Sequence, residues 1–148
     1  RYVLHMITVR YCIETHDTNA FASVVYRFFA SLDCRDHHRA AELVAAEGSW
    51  HRQGTVLVGR AAVLAALEQR DPKRQTAHLI TNLWVEHASA DRARVRFYLT
   101  AFETVTAADG TVGAPQMLGV RDCTDDLVLE SGQWRIGCKS SRRFLPAE

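Results

Sequence analysis

Residues 75–86, QTAHLITNLWVE, alternate polar and apolar side chains with a period of two and read as a strand. Side chains two and four apart share a face, which sets His78 and Asn82 beside Ile80 and Trp84. Turned inward, that face gives an apolar cavity two polar fixtures, the usual make-up of a small-molecule site. The sequence around it is extended as well. Residues 76–87 and 93–103 flank a turn at Ser89-Ala90-Asp91, and residues 117–130 and 133–143 flank Ser131-Gly132. Strands this long predict a strongly curved sheet. Between the two hairpins, residues 104–116 carry Asp109-Gly110, Gly113 and Pro115 and read as a mobile loop.

Upstream the period changes to that of helices. Residues 1–16 are rich in Val, Ile, Tyr and Thr and lean toward a strand. Asp17 or Thr18 can then cap a helix whose Phe21, Val24, Val25, Phe28 and Leu32 form one apolar stripe. Asp33 closes that helix, at the end where the helix dipole prefers a cation. It either caps or pairs with Arg35, or it serves a pocket. Asp36 caps a second helix, HHRAAELVAA, ended by Gly48. Residues 49–58 form a short hairpin turning near Gly54, and Gly59 opens a third helix with Val63, Leu64 and Leu67 inward, closed by Asp71-Pro72. Helices first and a meander of antiparallel strands afterwards is an α+β pattern, with the helices packed on one face of the sheet.

The totals exclude several classes of function. A chain of 148 residues suits one domain over residues 1–148, and its net charge of +1, with both signs mixed, recommends neither nucleic acid nor an anionic membrane. Cys12, Cys34, Cys123 and Cys138 have no metal or redox spacing and read as free thiols in a reducing cytoplasm. No run is long enough to span a bilayer, and the N-terminal YVLHMITVRYCI has no signal-cleavage site. The adjacent His37 and His38 diverge on a helix, so no metal site is expected, and Gly110 and Gly113 form no phosphate cradle.

Taken in order, LDCRDHHRAAEL, GSWHRQG, VGRAAVLAAL, TAHLITNLWVE, DRARVRFYLTAF and DDLVLESGQWRI resemble the SnoaL-like branch of the nuclear transport factor 2-like superfamily. The resemblance covers about residues 21–143. It implies a cone-shaped α+β barrel, with three N-terminal helices packed on a curved, mostly antiparallel sheet around a deep apolar pocket, commonly in a homodimer that pairs through the sheet. The superfamily includes polyketide cyclases, scytalone dehydratase, ketosteroid isomerase, limonene epoxide hydrolase and members that only bind or assemble, so fold alone does not assign a reaction. By the same resemblance, Asp33 matches the aspartate ending the first helix of the dehydratase-like members, His78 its strand histidine, and Asn82 the asparagine four residues on. His37 and Thr124 stand where many relatives carry Trp and Tyr.

An aspartate that orients a histidine lets the free ring nitrogen take or give a proton, chemistry that needs no cofactor. The expected activity is therefore dehydration, isomerisation or cyclisation of an apolar, cyclic molecule, a lyase or isomerase with catalytic His78 and Asp33. Asn82, Tyr26, Trp50, Trp84, Tyr98 and Phe102 are the candidate substrate contacts, although aromatic residues at regular spacing more often fill a core. The alternative is a non-catalytic binding or assembly module of the same fold. An epoxide hydrolase would need an Asp–Arg–Asp set, for which Asp122 with Arg96 is the available combination.

Overall fold

Helix α1 (Tyr2–Asp33) contains neither Pro nor Gly, and its backbone is helical through the stretch read as a strand at residues 1–16. Val, Ile and Thr lower helix propensity by only a few tenths of a kcal/mol each (about 0.7 at most), which nothing here compounds with a breaker. The computed structural model describes the backbone of residues 2–146 and the side chains of residues 18–146, so Cys12 and the cap expected of Asp17 lie outside the described side chains. Phe21, Val24, Val25, Phe28 and Leu32 are buried as their spacing predicts, and Phe29 joins them.

The end of α1 is a Schellman turn without its usual glycine. The Asp36 N–H donates to Ser31 O at 2.9 Å and the Arg35 N–H to Leu32 O at 3.2 Å, with Arg35 at φ +59°. An arginine at that left-handed position is retained by what its side chain does: the guanidinium donates to the carbonyls of Arg70, Asp71 and Arg74 at 3.0–3.1 Å. It thereby ties the helix end to the start of strand β3.

Asp36 caps α2 (His37–Glu42), its carboxylate accepting from the Arg39 N–H at 3.1 Å. This helix stops short of the expected Ala46 because strand β1 (Val44–Arg52) begins there. Pairing with strand β6 overrides the helix propensity of Leu43–Ala46: the Ile136 N–H donates to Leu43 O at 2.8 Å, and Val44 registers with Ile136. Gly48 is therefore not a helix terminator. A Cβ at Gly48 would sit 2.5 Å from Ile136 O, so the glycine permits close approach of β1 and β6.

Strand β2 (Thr55–Val58) follows a two-residue turn at Gln53-Gly54, both with positive φ, the geometry that matches the twist of a hairpin. Helix α3 (Gly59–Glu68) buries Val63 and Leu67. Strands β3 (Arg74–Ala88), β4 (Arg92–Val105), β5 (Gln116–Glu130) and β6 (Gln133–Leu145) complete one six-stranded sheet in the order β2-β1-β6-β5-β4-β3. Every pairing is antiparallel except β1 with β6. The architecture is α+β, with three helices, but the sheet does not close into a barrel. β2 and β3 remain its edges, with no pairing between them. Phe97, Val95, Leu127 and Ile136 on the inner face meet the stripe of α1 to form the core.

The stretch at 75–86 departs from simple alternation. β3 registers with β4 as far as Thr81↔Tyr98 and resumes at Trp84↔Arg96, with Asn82 at φ +51° in the bulge between. Before the bulge Thr76, His78 and Ile80 turn inward; after it Leu83 and Val85 do. Asn82 is exposed and Trp84 turns out, 41% exposed, its ring covered by the Arg96 guanidinium at 5.4 Å. His78 and Asn82 consequently do not share a face.

Candidate functional site

The last residue of α1 and the inward face of β3 bring Asp33 against His78. The carboxylate accepts three hydrogen bonds: from His78 Nδ1 at 2.6 Å, from the His78 backbone N–H at 2.9 Å and from Thr76 Oγ1 at 2.9 Å. Burial alone would raise this carboxyl. The His78 ring and backbone bonds, the ring's charge and the Thr76 hydroxyl outweigh it and hold Asp33 below the ordinary 3.8. An ionised acceptor at Nδ1 requires the proton on that nitrogen. Nε2 is then the nitrogen left for a ligand, and it has no protein partner among the described residues. Phe29 packs its ring 5.1 Å from the imidazole. Arg70 braces the assembly from behind, donating to Leu32 O at 2.9 Å and to Thr76 Oγ1 at 2.8 Å. The alternative pairing of Asp33 with Arg35 does not form, because Arg35 is committed to backbone carbonyls.

His78 lines an open cavity of about 670 Å³ between α1, β1 and the inner faces of β4, β5 and β6. Trp50 lines it too, edge-on to Phe28 at 5.4 Å. The other aromatic candidates do not. Tyr26 is 49% exposed on α1, Trp84 is turned out by the bulge, and Tyr98 stacks on Phe144 at 4.8 Å on the outer face of the sheet. Phe102 shares the face of Tyr98 by simple alternation, and it is Leu99 and Ala101 that border the cavity. Asn82 is outside it as well. Asp122 pairs with Arg96 at 3.0 Å and Arg142 at 2.8 Å, but neither Asp122 nor Arg96 lines the cavity, so an Asp–Arg–Asp set is not assembled there. Thr124 is likewise absent from the lining.

Sequence reasoning missed the floor of the cavity. Lys139 on β6 donates to both oxygens of Asp125 on β5, at 2.7 and 3.0 Å, and both residues are buried. The ammonium lies 4.4–5.3 Å from the ring centres of Phe28, Phe29 and Phe97. Burial raises the Asp125 carboxyl against the pull of Lys139. The periodic signal was present, since Asp125 alternates with Cys123 and Leu127, but its partner was not readable. Cys123 also borders the cavity; burial pushes its thiol up to about 12, which removes it as a thiolate nucleophile at neutral pH.

Residues 14–138 match the family model for a SnoaL-like domain. Among solved structures, the chain is similar to Aln2 from a Streptomyces species, at 27% identity over 84% of this chain and 88% of that one, with a TM-score of 0.68. An NTF2-like protein with a cystatin-like fold from Novosphingobium aromaticivorans aligns at 19% identity over 95% and 90% of the two chains, with a TM-score of 0.74. A candidate scytalone dehydratase from the same organism aligns at 21% identity over 88% and 89%, with a TM-score of 0.74. The likenesses under 25% identity speak for the fold alone. No curated protein matches the sequence.

Proposed function

The chain belongs to the family of SnoaL-like domains, and from that premise we propose that it is a small-molecule enzyme performing acid–base chemistry on a ring-containing substrate in the cavity. The observation that carries this reading is the 2.6 Å contact between His78 Nδ1 and Asp33 at the cavity wall. Asp33 orients the ring with a proton on Nδ1, and Nε2 exchanges a proton with the substrate. Proton abstraction beside a carbonyl, elimination of water and ring closure all begin with that step. A module that only binds would be favoured by a closed cavity or by an Asp33 carboxylate turned to solvent. Here the cavity is open and the carboxylate faces His78.

The test does not require the natural substrate. Cyclic ketones such as tetralones and steroid enones are incubated with the protein in deuterium oxide, and exchange at the carbon beside the carbonyl is followed by proton NMR. The protein is expected to accelerate exchange, and His78→Ala to remove about 10²–10⁴-fold of the acceleration, the usual share of a positioned acid–base group. Exchange that is accelerated equally by the variant sinks the assignment of His78.

A further inference from the structure

Charge is sorted unevenly around the cavity. Among the described residues no aspartate or glutamate lines it, while Arg52, Arg70, Arg74, Arg121, Arg143 and Lys139 do. Three of these cations are accounted for. Lys139 is neutralised by Asp125, Arg74 by Glu103, and Arg70 is held on neutral oxygens with Asp33 close by. Arg52, Arg121 and Arg143 have no carboxylate partner among the described residues.

Two of those are also neighbours by register. Arg121 on β5 stands directly opposite Arg143 on β6, and Cys123 stands opposite Ser141 one step further in. Arg52 on β1 is set apart from them, since the charge it feels is that of Arg74 at the start of β3. Like charges directly opposite on a sheet repel, and no carboxylate among the described residues pairs with either Arg121 or Arg143. Arg121 donates to Ser141 Oγ at 2.8 Å and to Ser141 O at 3.3 Å, which fixes one guanidinium in place. Arg52 lies over the Trp50 ring at 5.3 Å, and burial with the charge of Arg74 pulls its guanidinium below the usual value. The arrangement is a facing pair of guanidinium groups, Arg121 and Arg143, in the wall of a cavity that also holds His78, Phe29 and Leu32.

We infer that the ligand is an organic carboxylate, its carboxyl group held by Arg121 and Arg143 and its ring body extending toward Phe29 and His78. The inference rests on the cavity's being the substrate site. Guanidinium forks match a planar carboxylate, and binding one anionic end sets the distance of the ring from Nε2. A phosphate monoester shares the charge. However, many phosphate sites add backbone N–H groups at a helix N-terminus to their cations, and among the described residues none lines this cavity.

Calorimetric titration of the intact protein with benzoate, 2-naphthoate and anthracene-2-carboxylate, each beside its methyl ester, tests this, with 2-naphthyl phosphate as a further arm. At least one acid is expected to bind about tenfold or more tightly than its ester, as charge-assisted hydrogen bonds imply. Raising salt from about 0.05 to about 0.5 M should weaken the acid and not the ester. Arg121→Gln and Arg143→Gln should each erase the preference for acid over ester, and because each removes one of two facing cations, neither loss should be accompanied by a collapse of the unfolding midpoint. Equal affinity of acid and ester throughout, no binding of either, or equal losses in the variants overturns the inference. So does a preference for the phosphate over the naphthoate. An acid preference together with exchange indifferent to His78 would overturn the catalytic reading alone, and the reverse pattern this inference alone.

Discussion

Protonating Asp33 weakens three contacts together, with His78 Nδ1, the His78 N–H and Thr76 Oγ1. The carboxyl titrates below 3.8 in the folded chain, so the folded state binds fewer protons there than the unfolded state. A depressed carboxyl contributes stability that is present above the unfolded value and lost as the pH falls through the folded one. Asp33→Asn should therefore lower stability near neutrality and flatten its decline in acid. Urea unfolding of both proteins at intervals from about pH 5 down to about pH 2 reads this difference. Parallel declines for wild type and variant would mean that the carboxylate gains nothing from its partners. The two residues stood out in the sequence, Asp33 as awkward for a helix end and His78 as polar on an apolar strand face, but their pairing was implied only by the family resemblance, since the residues alone left Arg35 as an equal partner for Asp33.

At the scale of elements, legibility followed the periodic signal and failed where a single residue reset it. The α1 stripe from Phe21 to Leu32, the turns at Gly54 and Ser131-Gly132 and the third helix appear where spacing and turn residues put them. Bulges have no comparable signature. Asn82 inserts one residue into β3 and moves Trp84 to the opposite face, which removes two of the expected substrate contacts. A second example concerns β5 and β6. Counting outward from Glu130↔Gln133 pairs Asp125 with Cys138, yet a shift at Asp126/Leu127 pairs it with Lys139. The ion pair was thus hidden by one residue of register. If Asn82 is only a bulge residue, Asn82→Ala should cost about 1–2 kcal/mol, because alanine tolerates positive φ less well than asparagine. Chemical denaturation reads the cost, and the affinity for ring carboxylates should not change. A loss of affinity without loss of stability would return Asn82 to the binding site.

Across the whole molecule, a net charge of +1 conceals a separation that the sheet enforces. Alternation sends Asp122, Asp126, Arg94, Arg96 and Arg142 to the outer face, where they neutralise one another, and leaves Arg52, Arg121 and Arg143 facing the cavity. Composition averages over the two faces and so cannot report the difference. The pair Lys139–Asp125 lies where α1 crosses the sheet, under Phe28 and Phe29, and it belongs to the stability of the fold as a whole. Asp125→Asn leaves an ammonium buried without its counter-ion and should destabilise the protein by about 3–5 kcal/mol. The double substitution Asp125→Leu with Lys139→Met replaces both charges by apolar groups, and its cost should be near zero or even a gain of about 1–4 kcal/mol. Urea titration of the two variants separates the penalty of an orphaned charge from the net worth of the pair. Equal destabilisation in both would mean that the ion pair itself, through its bonds to both oxygens and its three aromatic neighbours, holds α1 against the sheet.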